Sequence, residues 1–252
     1  MIELDTIYNQ DCLEGMRFIP CGSIDAIICD LPYGVLNKGN KGAKWDAVIP
    51  FKPLWEQYER IIKDNGAIIL FGSGMFTAQL MMSNPKLWRY NLVWDKKRPS
   101  GFLNARRMPL RRHEDISVFY KSQPTYNPQM EKVPPYKRNH SRGSLKGQLK
   151  NNCYGNFAAI PTIINDEKYP ISIIAIQRDH QNGKFLHPSQ KPVDLLRYLI
   201  RTYTNEGDTV LDNCAGSGST CIACIKEKRH FVGFELNKDY FDIACKWIDE
   251  VR

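Results

Sequence analysis

Asp30-Leu31-Pro32-Tyr33-Gly34 follows an apolar run and has residue types that could activate an amine. An exocyclic amine of a nucleobase is a poor nucleophile, because its lone pair is delocalised into the ring. Two acceptors gripping its two N–H bonds favour a tetrahedral nitrogen and free that lone pair. The carboxylate of Asp30 and the backbone carbonyl of Leu31 can supply them. Tyr33 can stack on a base taken out of its helix, as base-modifying enzymes require. Pro32 fixes the backbone between grip and stack. A plain turn after a strand could carry the same four residues; the strand-end position favours a site.

A second segment reads as a ligand cradle. Thr209-Val210-Leu211-Asp212 runs into Asn213-Cys214-Ala215-Gly216-Ser217-Gly218, then into a helical stretch from Ser219. Glycines let backbone approach a ligand closely, and a helix start offers unpaired N–H groups. The segment completes neither G-x-G-x-x-G nor a P-loop, so an ordinary tight turn is the bland alternative. Glu235 ends the next apolar run, His230-Phe231-Val232-Gly233-Phe234, about 20 residues on. A carboxylate there can accept from two ribose hydroxyls. Any adenosine-containing cofactor fits this far, including the nicotinamide cofactor of a dehydrogenase, which would leave Asp30–Tyr33 unexplained.

These residues need strands that end together. Short apolar runs alternate with helical patterns, which predicts α/β architecture with a largely parallel sheet. Strands are expected at 5–9, 24–30, 67–72, 90–94, 116–120, 209–212 and 231–235, seven in all; 90–94 and 116–120 could instead pair as a hairpin. Leu54, Tyr58, Ile61 and Ile62 share a helical face that Asn65-Gly66 would stop. Pro192 opens a helix bearing Leu196, Leu199, Ile200 and Tyr203, and a last helix carries Tyr240, Phe241, Ala244, Ile248 and Val251. Residues 122–186 are polar and rich in Pro, Gly and Asn, with one apolar run at 171–176. That is too long for a simple loop, and reads as an inserted subdomain. Residues 34–44, with three glycines and three lysines, read as a surface loop or as a lid beside a site.

Composition narrows the partners. The 252 residues are 42% apolar, enough for a core, and no window approaches 18 consecutive apolar residues. The acidic start, Met1–Asp5, is unlike a signal peptide, so a cytoplasmic protein is expected. The net charge is +8, but residues 95–150 alone carry +10, from 14 Lys and Arg against four acids. A clustered excess of this kind marks a polyanion-binding face, or else a merely solvated one. Arg106, Arg107, Arg111, Arg112, Lys137 and Arg138 are the candidates for nucleic-acid contact. Of eight cysteines, Cys221 and Cys224 form a lone C-x-x-C without the second pair of a zinc site, and no metal is implied.

Taken in order, these motifs resemble the amino-methylating DNA methyltransferases of the β class, whose chain order is permuted: catalytic D-P-P-Y first, target recognition in the middle, glycine motif last. The resemblance covers 1–121 and 187–252. It implies a Rossmann-like methyltransferase domain over those residues, a recognition insert at 122–186, S-adenosylmethionine as cofactor and double-stranded DNA as substrate. It implies transfer to N6 of adenine with base flipping, because Asp-x-Pro-Tyr is the adenine form. Asp11 then corresponds to an acid near the cofactor's adenine. His187-Pro188-Ser189-Gln190-Lys191-Pro192 resembles the HPTQKP signature, placing Ser189, Gln190 and Lys191 beside its methionine end. Asp212, Ala215, Gly216 and Gly218 correspond to the cofactor turn and Glu235 to the ribose acid. Trp94, Lys96 and His113-Glu114 lie in strand-end segments typical of the class.

The sequence departs from the pattern at Leu31, where Pro is frequent, and at Asn213-Cys214, where Pro-Phe is common. The resemblance further implies a restriction-modification or regulatory enzyme; homodimers occur in the class. Open alternatives are cytosine N4 as target, RNA or a protein amide as substrate, and a non-catalytic DNA-binding subunit of the same fold.

Overall fold

A computed structural model describes residues 2–35, 46–133, 149–151, 155–157, 166–178 and 190–252. The chain divides into two compact units, residues 1–127 with 171–252, and residues 128–170.

The larger unit is built on an eight-stranded sheet. Its strands are β1 (Thr6–Tyr8), β2 (Ile24–Cys29), β3 (Ile62–Gly72), β4 (Trp88–Ser100), β5 (Arg111–Phe119), β10 (Ile173–Ala175), β11 (Thr209–Asp212) and β12 (His230–Phe234). Their order across the sheet is β1-β12-β11-β2-β3-β5-β4-β10. β5 is antiparallel to both neighbours, and every other pairing is parallel. Helices α1 (Cys12–Met16), α2 (Phe51–Ile61), α3 (Met75–Ser83), α4 (Val193–Tyr203), α5 (Ser219–Lys226) and α6 (Lys238–Val251) complete the unit.

Helices cover both faces, so the central strands must be apolar on both sides. Along β2, Ala26 and Ile28 join a core with Leu196 and Leu199 of α4 and Ile222 of α5. Ile27 and Cys29 face the other way, onto Met16 of α1 and Leu54, Tyr58 and Ile61 of α2. The chain leaves β2 for β3 on one side and β11 for β12 on the other. Ligands bind where strand order reverses in this way, in the crevice beyond the strands' carboxyl ends. Here that point lies between β11 and β2, where Leu211 pairs with Ile27.

Three details differ from the sequence reading. The 90–94 and 116–120 segments adopt the hairpin alternative, as the ends of longer strands β4 and β5. An eighth strand, β10, comes from the apolar run at 171–176, with Ile174 opposite Trp94. Finally, α2 stops at Ile61, not at Asn65-Gly66: Ile62 is already extended and pairs with Ile24. Gly66 serves close approach, since a Cβ there would come within 2.8 Å of the Asp25 carbonyl.

The smaller unit, taken by itself, holds two antiparallel pairs. β6 (Glu131–Lys132) pairs with β9 (Glu167–Lys168), and β7 (Leu149–Asn151) with β8 (Gly155–Phe157).

Candidate active site

A cavity of about 820 Å³ opens at the carboxyl ends of β2, β4, β11 and β12. Asp30 enters it directly beyond β2. Its Oδ1 accepts a 2.7 Å hydrogen bond from the Tyr33 hydroxyl, and its Oδ2 meets the ammonium of Lys191. Lys191 lies just before α4, its side chain 7% exposed, and approaches Glu114 Oε2 at 3.5 Å. Glu114, on β5, pairs through Oε1 with Lys96 of β4 at 3.2 Å. Four charges thus alternate in sign, Asp30, Lys191, Glu114 and Lys96, the two lysines buried and the two carboxylates partly so. Charges removed from water persist only when paired in this way.

The two carboxylates have opposite electrostatics. Burial pushes the Asp30 carboxyl up, more than the neighbouring Lys191 pulls it down. Burial acts on Glu114 in the same sense, but Lys191, Lys96 and Arg178 together outweigh it and hold Glu114 below the usual range. Burial, with the charge of Asp30, raises the Tyr33 phenol well above its ordinary value, so it remains a donor. The Tyr33 ring is stacked on Phe76 of α3, with centroids 4.6 Å apart. Leu31 is buried, with its side chain in the core.

The glycine turn forms another part of this crevice. Gly216 (φ +54°) donates its N–H to Glu235 Oε2 at 2.8 Å, and Asn237 N–H donates to Oε1 at 2.7 Å. Backbone amides do not exhaust the acceptor capacity of the Glu235 carboxylate, and burial raises its pKa. Gly218 has φ +84°, and a Cβ there would lie 3.0 Å from that of Ala244. The Ala215 N–H donates to the Phe234 carbonyl at 2.9 Å, tying the turn to the end of β12.

The residues singled out by sequence are distributed as follows. Asp11, Asp30, Leu31, Pro32, Tyr33, Lys191, Gly216 and Glu235 line the one cavity. Asp11 also caps α1, accepting from the N–H groups of Leu13 and Glu14. Asp212 and Ala215 do not reach that cavity; with Gln190 they line a small adjoining recess. Asp212 is buried, accepts the Cys214 N–H at 3.1 Å and holds the turn in shape. Gly218 lines neither space: its part is the turn's backbone and the packing against α6. Gln190 Oε1 is buried without a hydrogen-bond partner among the described residues. Ser189, Lys137, Arg138 and most of the loop at 34–44 lie outside the described residues.

Arg106, Arg107, Arg111 and Arg112 are exposed, in or beside the loop that joins β4 to β5. Arg111 donates to Ser73 Oγ, and Arg112 makes a bidentate pair with Asp95 at 2.7 and 2.8 Å. The sequence pointed to Lys96 and Glu114 only as members of strand-end segments typical of the class, without their ion pairs, and did not point to Arg178, which also lines the cavity. The available signal was a charged residue at the end of an apolar run, as Lys96 follows Trp94 by two and Arg178 follows Ile176 by two. Asn213, at the unusual Asn-Cys position, accepts a 2.5 Å hydrogen bond from the buried Tyr58 hydroxyl.

Known proteins resemble this chain in sequence and fold. The sequence profile described as DNA methylase, of the N6/N4 type, matches residues 24–246. The Type II methyltransferase M1.MboII of Moraxella bovis is 27% identical, over 97% of this chain and 96% of its own length. M.BglII of Bacillus subtilis, also a Type II methyltransferase, is 28% identical over 96% of this chain and 68% of its own. Among solved structures, the M1.HpyAVI–SAM complex superposes with a TM-score of 0.63 at 24% identity, covering 96% of this chain and 97% of that one. The cytosine-N4-specific PvuII DNA methyltransferase superposes with a TM-score of 0.66 at 17% identity, covering 98% and 90%.

Proposed function

The chain belongs to the N6/N4 DNA methylase family, and from that premise we propose that it methylates N6 of adenine in double-stranded DNA, with S-adenosylmethionine as donor. One observation carries the reading: Asp30, bonded to Tyr33 and Lys191, shares a single cavity with Glu235.

The residues present suit the donor. Glu235 has spare acceptor capacity for ribose hydroxyls, Gly216 lines the cavity without a side chain, and Gln190 Oε1, which has no partner among the described residues, suits a ligand donor such as an ammonium. Asp11, Gln190, Lys191, Gly216 and Glu235 would hold it, and Ser189, outside the described residues, is assigned to the same role from its motif. Bound S-adenosylmethionine supplies a methyl group activated as a sulfonium. Asp212, Ala215 and Gly218 shape the turn.

The rest is positioning. Asp30 accepts one N–H of the target amine through an oxygen lone pair not used by Tyr33 or Lys191, and the Leu31 carbonyl accepts the other. Lys191 and Tyr33 fix the carboxylate's direction, and Tyr33 with Pro32 forms the wall against the flipped base. Arg106, Arg107, Arg111 and Arg112, with Lys137 and Arg138, engage DNA phosphates, and the segment 122–186 reads the target sequence. The adenine assignment rests on Asp-x-Pro-Tyr. Cytosine N4 is the alternative, favoured by the likeness in fold to a cytosine-N4-specific enzyme. Retention of Asp30, Tyr33 and Glu235 in one cavity speaks against a non-catalytic subunit. The Type II relatives suggest a modification enzyme working on cytoplasmic DNA. Among the described residues, no helix is long and apolar enough to cross a membrane.

The test is mass spectrometry of nucleosides from unmethylated DNA incubated with the protein and labelled S-adenosylmethionine. The expected product is N6-methyladenosine in its deoxy form, absent with Asp30→Asn. N4-methylcytosine would overturn the adenine assignment but leave the mechanism; no methylated nucleoside would overturn the function.

A further inference from the structure

The hairpin of β4 and β5 runs on past the sheet. Its last rung pairs Ser100 with Arg111, and both residues line the catalytic cavity. Beyond that rung, residues 101–110 are ordered by their own backbone: Asn104 N–H donates to the Gly101 carbonyl at 2.9 Å, and Arg107 N–H to the Asn104 carbonyl at 2.8 Å. The short 3-10 turn Phe102–Asn104 sits at the tip. It points apolar side chains into solvent, with Phe102 68% exposed and Leu103 fully exposed. Arg106 and Arg107 are exposed beside them.

Large apolar side chains grouped on a surface mark a contact. The neighbouring arginines match a polyanion, and the loop springs from Ser100 and Arg111 in the cavity lining, beside the place where a target base would have to leave its duplex. Extruding a base leaves its stacked neighbours facing a gap, and apolar side chains inserted between base steps take up lost stacking. We propose that Phe102 and Leu103 form a wedge that enters duplex DNA at the vacated position and holds the target base out, while Arg106 and Arg107 grip the flanking phosphates. This rests on the DNA-methylating function proposed above.

The experiment compares wild type with Phe102→Ala/Leu103→Ala on two duplexes, after the methylated position has been mapped with the wild type. One duplex is fully matched; the other carries a mispair at the target base, which is already easier to extrude. The double variant should lose roughly tenfold or more in kcat/KM on the matched duplex, since each factor of ten needs only about 1.4 kcal/mol. On the mispaired duplex it should work within about twofold of wild type, a difference of some tenths of that energy. Donor affinity and thermal stability should be unchanged, and Leu103→Phe, which keeps an apolar wedge, should retain activity. Wild-type turnover of the matched duplex by the double variant would overturn the wedge. So would an equal loss on both duplexes, or a change of oligomeric state, which would make the tip a protein contact. Failure of the wild type itself to methylate DNA would overturn the function beneath it, and is seen before any variant is compared.

Discussion

Lys191 and Asp30, 161 residues apart in sequence, meet as ammonium and carboxylate inside the cavity. The contact joins the segment leading into α4 to the end of β2, so two motifs far apart in the chain close on one another through a partly buried ion pair. Lys191 also faces Glu114, so the position of Asp30 is tied to the β4–β5 hairpin.

The pair sets a pH dependence. In the role proposed for it Asp30 accepts an amine N–H as a carboxylate, and burial raises its pKa while Lys191 opposes the rise. Activity is therefore present above the folded pKa of Asp30 and lost as pH falls through it, at a pH above the ordinary carboxylate range. Lys191→Met removes the opposing charge and should move the acid limb of kcat/KM to still higher pH. A variant slowed equally at every pH, with the limb in place, would reduce Lys191 to packing.

Glu235 should carry donor affinity. Its two oxygens hold the Gly216 and Asn237 amides while keeping acceptor capacity toward the cavity. Glu235→Ala should weaken S-adenosylmethionine binding by about 1.5–3 kcal/mol, the usual worth of a hydrogen bond to a charged group. Titration calorimetry measures it directly. Unchanged affinity would place the ribose elsewhere.

What the sequence could and could not reveal follows from physics. Strands buried on both faces must be continuous apolar runs, so β2, β3, β11 and β12 stand out, and Asp30 and Glu235 are conspicuous as the charged residues that end two of them. β10 is harder to see, being three residues inside a long polar segment, and it becomes a strand only because the β4 edge receives it. Gly66 resembles a helix stop because local sequence cannot show that another strand's carbonyl lies against it. The ion chain from Lys96 to Asp30 is invisible for a similar reason. A buried charge needs a partner nearby in space, and nothing local in the chain announces where that partner is.

The basic loop makes a prediction about salt. Arg106 and Arg107 are exposed, and phosphate contacts release about 0.9 counterions each. DNA affinity should fall steeply with salt, and Arg106→Ala/Arg107→Ala should flatten the plot of log K against log salt by about one to two units of slope. The loss should be alike for all DNA sequences. A variant that changes sequence preference at constant slope would move these arginines from phosphates to base edges.

Asp212 makes a prediction about stability. Burial pushes its carboxyl from 3.8 to about 6, against the opposing hydrogen bonds from the Thr220 hydroxyl and the Cys214 amide. A buried carboxyl with a raised pKa binds its proton more tightly folded than unfolded. Between about pH 4 and 6 the folded state therefore carries more protons, and stability falls as pH rises through that window. The two-unit shift corresponds to about 3 kcal/mol as an upper bound, complete above pH 6. Asp212→Asn keeps an oxygen for the Cys214 amide and has no proton to lose. In urea titrations the variant should gain on the wild type progressively from pH 4 to pH 6, then hold a constant advantage to pH 8. Subtracting the two proteins at each pH cancels the other titrating groups. A difference that does not vary with pH would mean that Asp212 stays ionised in the fold, and that the turn is held by its charge despite burial.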